Sequence, residues 1–300
     1  MKARPPCAGT IMEVTGSLRD VALKRQRGTM AKRLVDVVRP SVYIESGSAK
    51  FPNSPDRCAV LVHYSATPIL SRSVVQLIAE LHSSGYFVVV SSACESVENL
   101  VWPEGHMPER TIVVRKPNIG YDFGTAAVAL DRFPQIAEAK YVLIVNDSNV
   151  GPFTSLQPTI SAFENSPADA WALTGSNQHG FHLQSFFLGF RGILKDRALQ
   201  DFWRNVRHFE DKWKVIIHYE LGLSRLLVEE GYVIDVMYPH TAFDSARTSN
   251  IAANLWLDLL VEGYPFVKRE IVQKPWVESS ASLIPEVINY FFQEDVRSWL

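Results

Sequence analysis

Tyr141–Pro152 reads YVLIVNDSNVGP, an apolar run that passes directly into Asn146, Asp147 and Ser148. An unbroken apolar run of this length, bounded by polar and turn-forming residues, predicts a strand buried on both faces. Strands of that kind belong to parallel sheets covered by helices on each side, where ligands gather at the carboxyl ends. The polar triplet is therefore the first place to look for chemistry.

Reading outward from this strand gives the same architecture. Upstream lie AVLVHY (Ala59–Tyr64), the amphipathic stretch Ile69–Ser83, YFVVVSS (Tyr86–Ser92), TIVVR (Thr111–Arg115) and a helix expected over Thr125–Phe133. Downstream come AWALT (Ala170–Thr174), SFFLGF (Ser185–Phe190) and helical patterns around Asp196–His208 and Tyr219–Glu230. β-branched runs alternating with helical patterns predict an α/β, Rossmann-type domain, mostly parallel, with helices on both faces. The Pro-, Ser- and Gly-rich text of Arg39–Arg57 predicts a linker. The expected organisation is a basic arm and linker over residues 1–57 and one domain over 58–300.

With 47% hydrophobic and 21% charged residues the composition is that of an ordinary globular chain. Cys7, Cys58 and Cys94 form neither a CxxC nor a Cys/His cluster, so free thiols in a reducing compartment are expected. No apolar run approaches the roughly 20 residues that cross a bilayer, and no signal-peptide core opens the chain. A cytoplasmic location is expected, with any membrane contact peripheral. The net charge of -2 conceals a basic arm, because residues 1–40 carry nine Lys/Arg against three Asp/Glu. Leu18–Val38 sets apolar residues at loosely helical spacing among Lys24, Arg25, Arg27, Lys32 and Arg33. Such a stretch suits either an anionic lipid surface or a solvated helix flanking the domain.

Four segments carry candidate chemistry. RKPNIGYDFGT (Arg115–Thr125) follows a strand and precedes a helix. There Gly120 and Gly124 allow close backbone approach, Asn118 supplies a polar contact, and Arg115, Lys116 and Asp122 supply charge. A nucleotide site and a plain tight turn both fit that text. No GxGxxG or GxxxxGK[ST] occurs, which removes the usual support for dinucleotide redox chemistry and P-loop phosphoryl transfer. In the second segment, Asn146, Asp147 and Ser148 offer hard oxygen ligands of the sort that hold Mg²⁺ or Mn²⁺ against a diphosphate, or an Asx-turn before Gly151 and Pro152. In the third, His182 and Gln184 stand at a strand entrance, beside His179, where they could read sugar hydroxyls. In the fourth, HYELGLSRLLVEEGY (His218–Tyr232), Glu220 shares a helical face with Leu223 and Leu227, which aims its carboxylate inward.

Taken in order, VHYS (Val62–Ser65), NIGYDFG (Asn118–Gly124), NDSNVGP (Asn146–Pro152), HLQSFF (His182–Phe187) and YELGLS (Tyr219–Ser224) resemble the rhamnan-synthesis F family. The resemblance runs from about Ala59 to His240. It implies a GT-A-like fold and transfer of a sugar, L-rhamnose or another deoxyhexose, from a nucleoside diphosphate to a surface-polysaccharide or lipid-linked glycan, with no nucleic-acid partner. By that resemblance NDS occupies the place of the metal-binding DxD motif, with Ser148 where the last Asp stands. YELGLS holds the acidic base, Glu220, and a C-terminal histidine completing the metal shell would be His240. His63 and Tyr64 join the donor site with Arg115, Asn118, Gly120, Asp122 and the NDS triplet. A single candidate base implies inversion. The rival expectation is a catalytically idle module of the same fold that binds glycan or nucleotide sugar within an assembly complex.

Overall fold

A computed structural model describes residues 32–47, 51–52, 55–103, 105–243 and 250–300. In chain order the elements that build the sheet and its cover begin with helix α1 (Leu34–Val38), strand β1 (Tyr43–Ser46), β2 (Arg57–His63), α2 (Arg72–Ser83), β3 (Phe87–Ser92), β4 (Thr111–Arg115) and α3 (Tyr121–Arg132). They continue with β5 (Tyr141–Asn146), β6 (Asn149–Val150), α4 (Gln157–Asn165), β7 (Ala170–Ser176), β8 (His182–Leu183) and β9 (Phe187–Arg191). The last are α5 (Arg197–Arg204), α6 (Leu221–Glu229), β10 (Ile234–Tyr238) and β11 (Val267–Lys268).

The main sheet runs β1-β4-β3-β2-β5-β9-β7-β10, with β8 added to β7. Its central block β4, β3, β2 and β5 is parallel, as is the β7–β10 pair. β1 and β9 run against their neighbours. The expected mostly parallel sheet is thus present, with β9 inserted as an antiparallel strand. Register levels the carboxyl ends: Val62 lies opposite Asn146 and His63 opposite Ser92. Everything polar that follows β2 and β5 therefore emerges at one edge.

Period-two alternation sends β2 to both faces at once. Val60 and Val62, with Ile144 and Val114, pack under α1, α3, α5 and α6 through Phe123, Ala127, Trp203 and Leu223. Ala59 and Leu61, with Leu143 and Val90, pack under α2, α4 and the segment 251–266 through Ile78, Leu81, Phe163 and Leu259. Helices on both faces follow directly from strands with no polar side. A third apolar cluster gathers Val150, Trp256, Val267, Ile284 and Trp299, which fastens the C-terminal segment to β6.

Two local expectations are corrected. Within the expected linker, Tyr43–Ser46 is an edge strand joined to β4, with Tyr43 opposite Arg115. An edge strand is paired on one side only, and the half-exposed text YIES carries little apolar signal. The helix expected from Thr125 begins a full turn earlier, at Tyr121, so Asp122 lies in its first turn. Gly120 makes this start possible, since its φ of 95° is left-handed backbone. The expected amphipathic arm lies outside the described residues up to 31, and its last part is α1, whose Leu34, Val35 and Val38 are buried.

Leu34 explains the two glycines of the Arg115–Thr125 segment. A Cβ on Gly120 or on Gly124 would stand 2.3 Å from Leu34 Cδ2. Their missing side chains admit α1 onto α3, rather than a ligand. Gly120→Ala should lower the unfolding free energy by about 1–3 kcal/mol through overpacking and positive φ. Gly124→Ala should cost less, because helix propensity partly offsets the clash. In a Leu34→Ala background both penalties should shrink, measured by urea unfolding as a double-mutant cycle. Additive effects would show that Leu34 is not the obstacle.

Candidate functional site

The polar edge of the sheet opens into a cleft of about 900 Å³. His63 and Tyr64 line it from the end of β2, Asn146, Asp147 and Ser148 from the end of β5, and Asn118, Tyr121 and Asp122 from the start of α3. His182, Gln184 and Glu220 line the facing wall.

Asp147 is held from several directions. Its Oδ2 accepts the Tyr64 N–H at 2.9 Å, and its own N–H donates to Val62 O at 3.2 Å. The turn itself belongs to Asn146, whose Oδ1 accepts the Ser148 N–H at 3.0 Å and whose Nδ2 donates to Asp122 Oδ2 at 2.8 Å. Asp122 and Asp147 are thereby drawn together. Burial raises both carboxyls to about 6, the negative charge of Asp147 adding to the rise at Asp122 while the Tyr64 N–H and Arg269 restrain that at Asp147.

His63 is buried and shares a hydrogen bond with Ser92 Oγ at 3.0 Å. Burial holds its pKa down, at about 4, so it presents a neutral ring at physiological pH. Glu95 ties the cleft mouth, accepting from Tyr64 Oη at 2.9 Å and from Asn118 Nδ2 at 3.1 Å. On the facing wall Gln184 accepts from Thr174 Oγ1 at 2.7 Å and donates to Asn250 Oδ1 at 3.2 Å. His182 Nδ1 donates to Gly180 O at 2.9 Å. Glu220 closes a π-helical turn, Ile216–Glu220, that precedes α6. Its Oε1 accepts the Ser185 N–H at 2.7 Å, which fixes the carboxylate at the cleft wall. Such wide turns recur at functional sites.

Two expected donor contacts are not in the cleft lining. Arg115 is buried in an ion pair with Glu45 and donates to the carbonyls of Cys94, Ser96 and Glu98. Its fork is consumed in pinning β1 and the loop after β3. Gly120 faces Leu34, as described above. Lys116 is likewise turned inward, its ammonium donating to Pro117 O at 2.6 Å and Ile119 O at 2.8 Å.

Of the two residues expected to share a cation, Asp147 lines the cleft and His240 does not. His240 opens a short 3₁₀ turn near Phe181, outside the cleft lining, and its buried Nδ1 has no hydrogen-bond partner among the described residues. Among the described residues no three His, Cys, Asp or Glu side chains gather closely enough to hold a metal ion. With one oxygen of Asp147 already taken by Tyr64, this donor set does not fit a resident divalent cation.

The family model for rhamnan synthesis protein F matches residues 109–296, well over half of the chain and most of this cleft. The chain belongs to that family. Virulence protein VirA of Vibrio anguillarum is 28% identical over 194 residues, which cover 54% of this chain and 62% of VirA. Protein y4gN of Sinorhizobium fredii is 27% identical over 219 residues, covering 69% of this chain and 56% of y4gN. This rhamnan synthesis F member thus spans about three fifths of the length of the curated relatives it matches. No described helix is long and apolar enough to cross a membrane.

In this family member the cleft also holds residues that the sequence reading did not single out: Lys212, Trp213, Asn250, Lys268, Arg269 and Lys274. The signals were there as KWK at Lys212–Lys214 and as the basic pair after the apolar PFV at Pro265–Val267. Both lie between or beyond the recognisable motifs.

The raised Asp122 pKa has a consequence for stability. The folded state keeps a proton between pH 4 and 6 that the unfolded chain has released, so stability falls as pH rises through that window. Asp122→Asn keeps the acceptor for Asn146 and removes this penalty. Its melting temperature should match wild type near pH 4 and exceed it by about 2–4 °C above pH 7, the shift that roughly 1 kcal/mol produces. Parallel melting curves across pH 4–8 would show that Asp122 ionises normally.

Proposed function

We propose that this chain is a GT-A-like glycosyltransferase of polysaccharide synthesis, moving L-rhamnose or another deoxyhexose from a nucleoside diphosphate donor to a glycan or lipid-linked glycan acceptor. The observation that carries this reading is convergence. His63 and Tyr64, Asn118 and Asp122, Asn146–Ser148, His182 and Gln184, and Glu220 come from five separated segments and line one cleft. Family membership supports the chemistry, and cleft size suits a nucleotide sugar with part of its acceptor.

In this reading the donor lies along the strand ends and the acceptor enters past Glu220. Glu220 takes the proton of the acceptor hydroxyl as its oxygen attacks the anomeric carbon. A new C–O bond forms while the bond to the diphosphate breaks, and the nucleoside diphosphate leaves with its electron pair. One base and one displacement give inversion at the anomeric carbon. The Ser185 N–H holds the Glu220 carboxylate in place at the cleft wall, where a base must stand within hydrogen-bond reach of the acceptor hydroxyl.

The decisive measurement is release of nucleoside diphosphate across a panel of nucleotide sugars, with and without glycan acceptors. Turnover of none of them would sink the reading. Glu220→Gln retains the oxygen that accepts from Ser185 while losing basicity. It should lower kcat by about 10²–10⁴ with an unchanged melting temperature and donor affinity. Glu229→Gln, on the exposed side of the same helix, is the control and should turn over as wild type. Wild-type kcat in Glu220→Gln would place the base elsewhere.

A further inference from the structure

The cleft has a basic wall that none of the motifs supplies. β11 pairs with β6 so that Lys268 lies opposite Asn149, and Val267 and Val150 beneath them are fully buried. This short ladder sets Lys268 and Arg269 at a fixed place beside the end of β5. Arg269 donates its backbone N–H to Ser148 O at 2.8 Å and its Nε to Asp147 O at 2.9 Å, while Nη2 reaches Ser71 Oγ at 3.3 Å. Its Nη1 makes no hydrogen bond to a described residue. The Lys268 ammonium makes no hydrogen bond or ion pair with any described residue, although the side chain is partly buried, and burial lowers its pKa. Glu220 and Glu270 attract its charge from a distance and Lys212 opposes it. A partly buried ammonium without a close anionic partner is costly, and an anion entering the cleft would relieve that cost.

We propose that Lys268 and Arg269 form the diphosphate-binding wall of this cleft, taking the charge of the departing nucleoside diphosphate that a divalent cation would otherwise neutralise. The proposal rests on the glycosyltransferase reading for the identity of the ligand, though the anion site itself stands on geometry. Three observations favour it. The carboxylates of the cleft do not assemble a metal shell among the described residues. The cations expected from the Arg115–Thr125 segment are spent on internal carbonyls and Glu45. Arg269 is fastened to Ser148 and Asp147 at the polar strand end, and Lys268 lines the same cleft as Glu220, so a diphosphate held there shares the cleft with the base. Positive charge placed where negative charge develops is the usual large term in such transfers.

The test uses the full chain and inorganic pyrophosphate, followed by calorimetry in EDTA, with phosphate and sulfate as weaker anions. Wild type should bind pyrophosphate without added metal, and more tightly than either control. Lys268→Met keeps the stem and removes the charge. It should weaken pyrophosphate at least about tenfold, the loss expected for a charge-assisted contact, while raising the melting temperature of the unliganded protein. Arg269→Lys keeps charge but cannot span Asp147 O and Ser71, and should weaken binding more modestly. Pyrophosphate binding that requires Mg²⁺ or Mn²⁺, or that survives unchanged in Lys268→Met, overturns the proposal. Failure here with intact sugar transfer would leave the glycosyltransferase reading standing. Metal-free, Lys268-dependent pyrophosphate binding in a protein that turns over no nucleotide sugar would uphold the anion wall and remove that reading.

Discussion

Asp147 joins three parts of the chain that would otherwise be separate. Its carboxylate receives the first N–H after β2, its own N–H returns to the last turn of that strand, and its carbonyl receives the Arg269 side chain from the C-terminal segment. The ends of the two central strands are thereby locked to each other and to the polypeptide that returns some 120 residues later. A cleft built from distant segments needs such a fastening, because each loop alone would sample many conformations. Putting the fastening on the backbone of Asp147 leaves its second carboxylate oxygen for the cleft.

The charges of the cleft are segregated rather than paired. Asp122, Asp147 and Glu220 are anchored by N–H donors or by the Asn146 amide, and the described contacts include no salt bridge from any of them to Lys268 or Lys212. A closed ion pair would have satisfied both partners and left the cleft inert. Holding the carboxylates with neutral donors keeps the opposing ammonium groups free for a ligand. The cost falls on the folded state, which carries elevated carboxyl pKa values and a partly buried lysine. Trading stability for a poised site is common at ligand-binding clefts.

How much of this was legible beforehand follows from where the apolar signal is strong. β2, β3, β4 and β5 are buried on both faces and announce themselves as Val/Ile/Leu runs, which made the sheet and its polar edge readable. β1 is half exposed and its YIES text alternates too weakly to mark a strand, so the sequence there reads as linker. The start of α3 is obscured in the sequence because Gly120 and Gly124 look like ligand-facing glycines, and only the position of Leu34 reveals them as packing contacts. Asp122, Asp147, His182 and Glu220 were recognisable because they follow or precede clear elements. Lys268 and Arg269 belong to a two-residue strand whose pairing with β6 depends on a third apolar cluster, a long-range fact that no local pattern encodes. Arg115 misled for the converse reason: a cation at a strand end looks available until Glu45 and the carbonyls after β3 are seen to surround it.

The wide turn at Ile216–Glu220 separates heredity of fold from heredity of chemistry. A π-turn arises when one residue is added to a regular helix, and removing one residue restores the ordinary winding. Each residue advances a helix by about 100°, so a single-codon deletion within this turn, with α6 held by its core contacts, would rotate the preceding Lys212–Val215 segment, and with it Lys212 and Trp213 of the cleft, relative to Glu220. Sister chains that differ by such a deletion would keep the same architecture and lose this arrangement of Lys212 and Trp213 about the acidic group. Counting residues between Tyr219 and its neighbours is therefore a more sensitive guide to which family members retain this geometry than overall sequence identity.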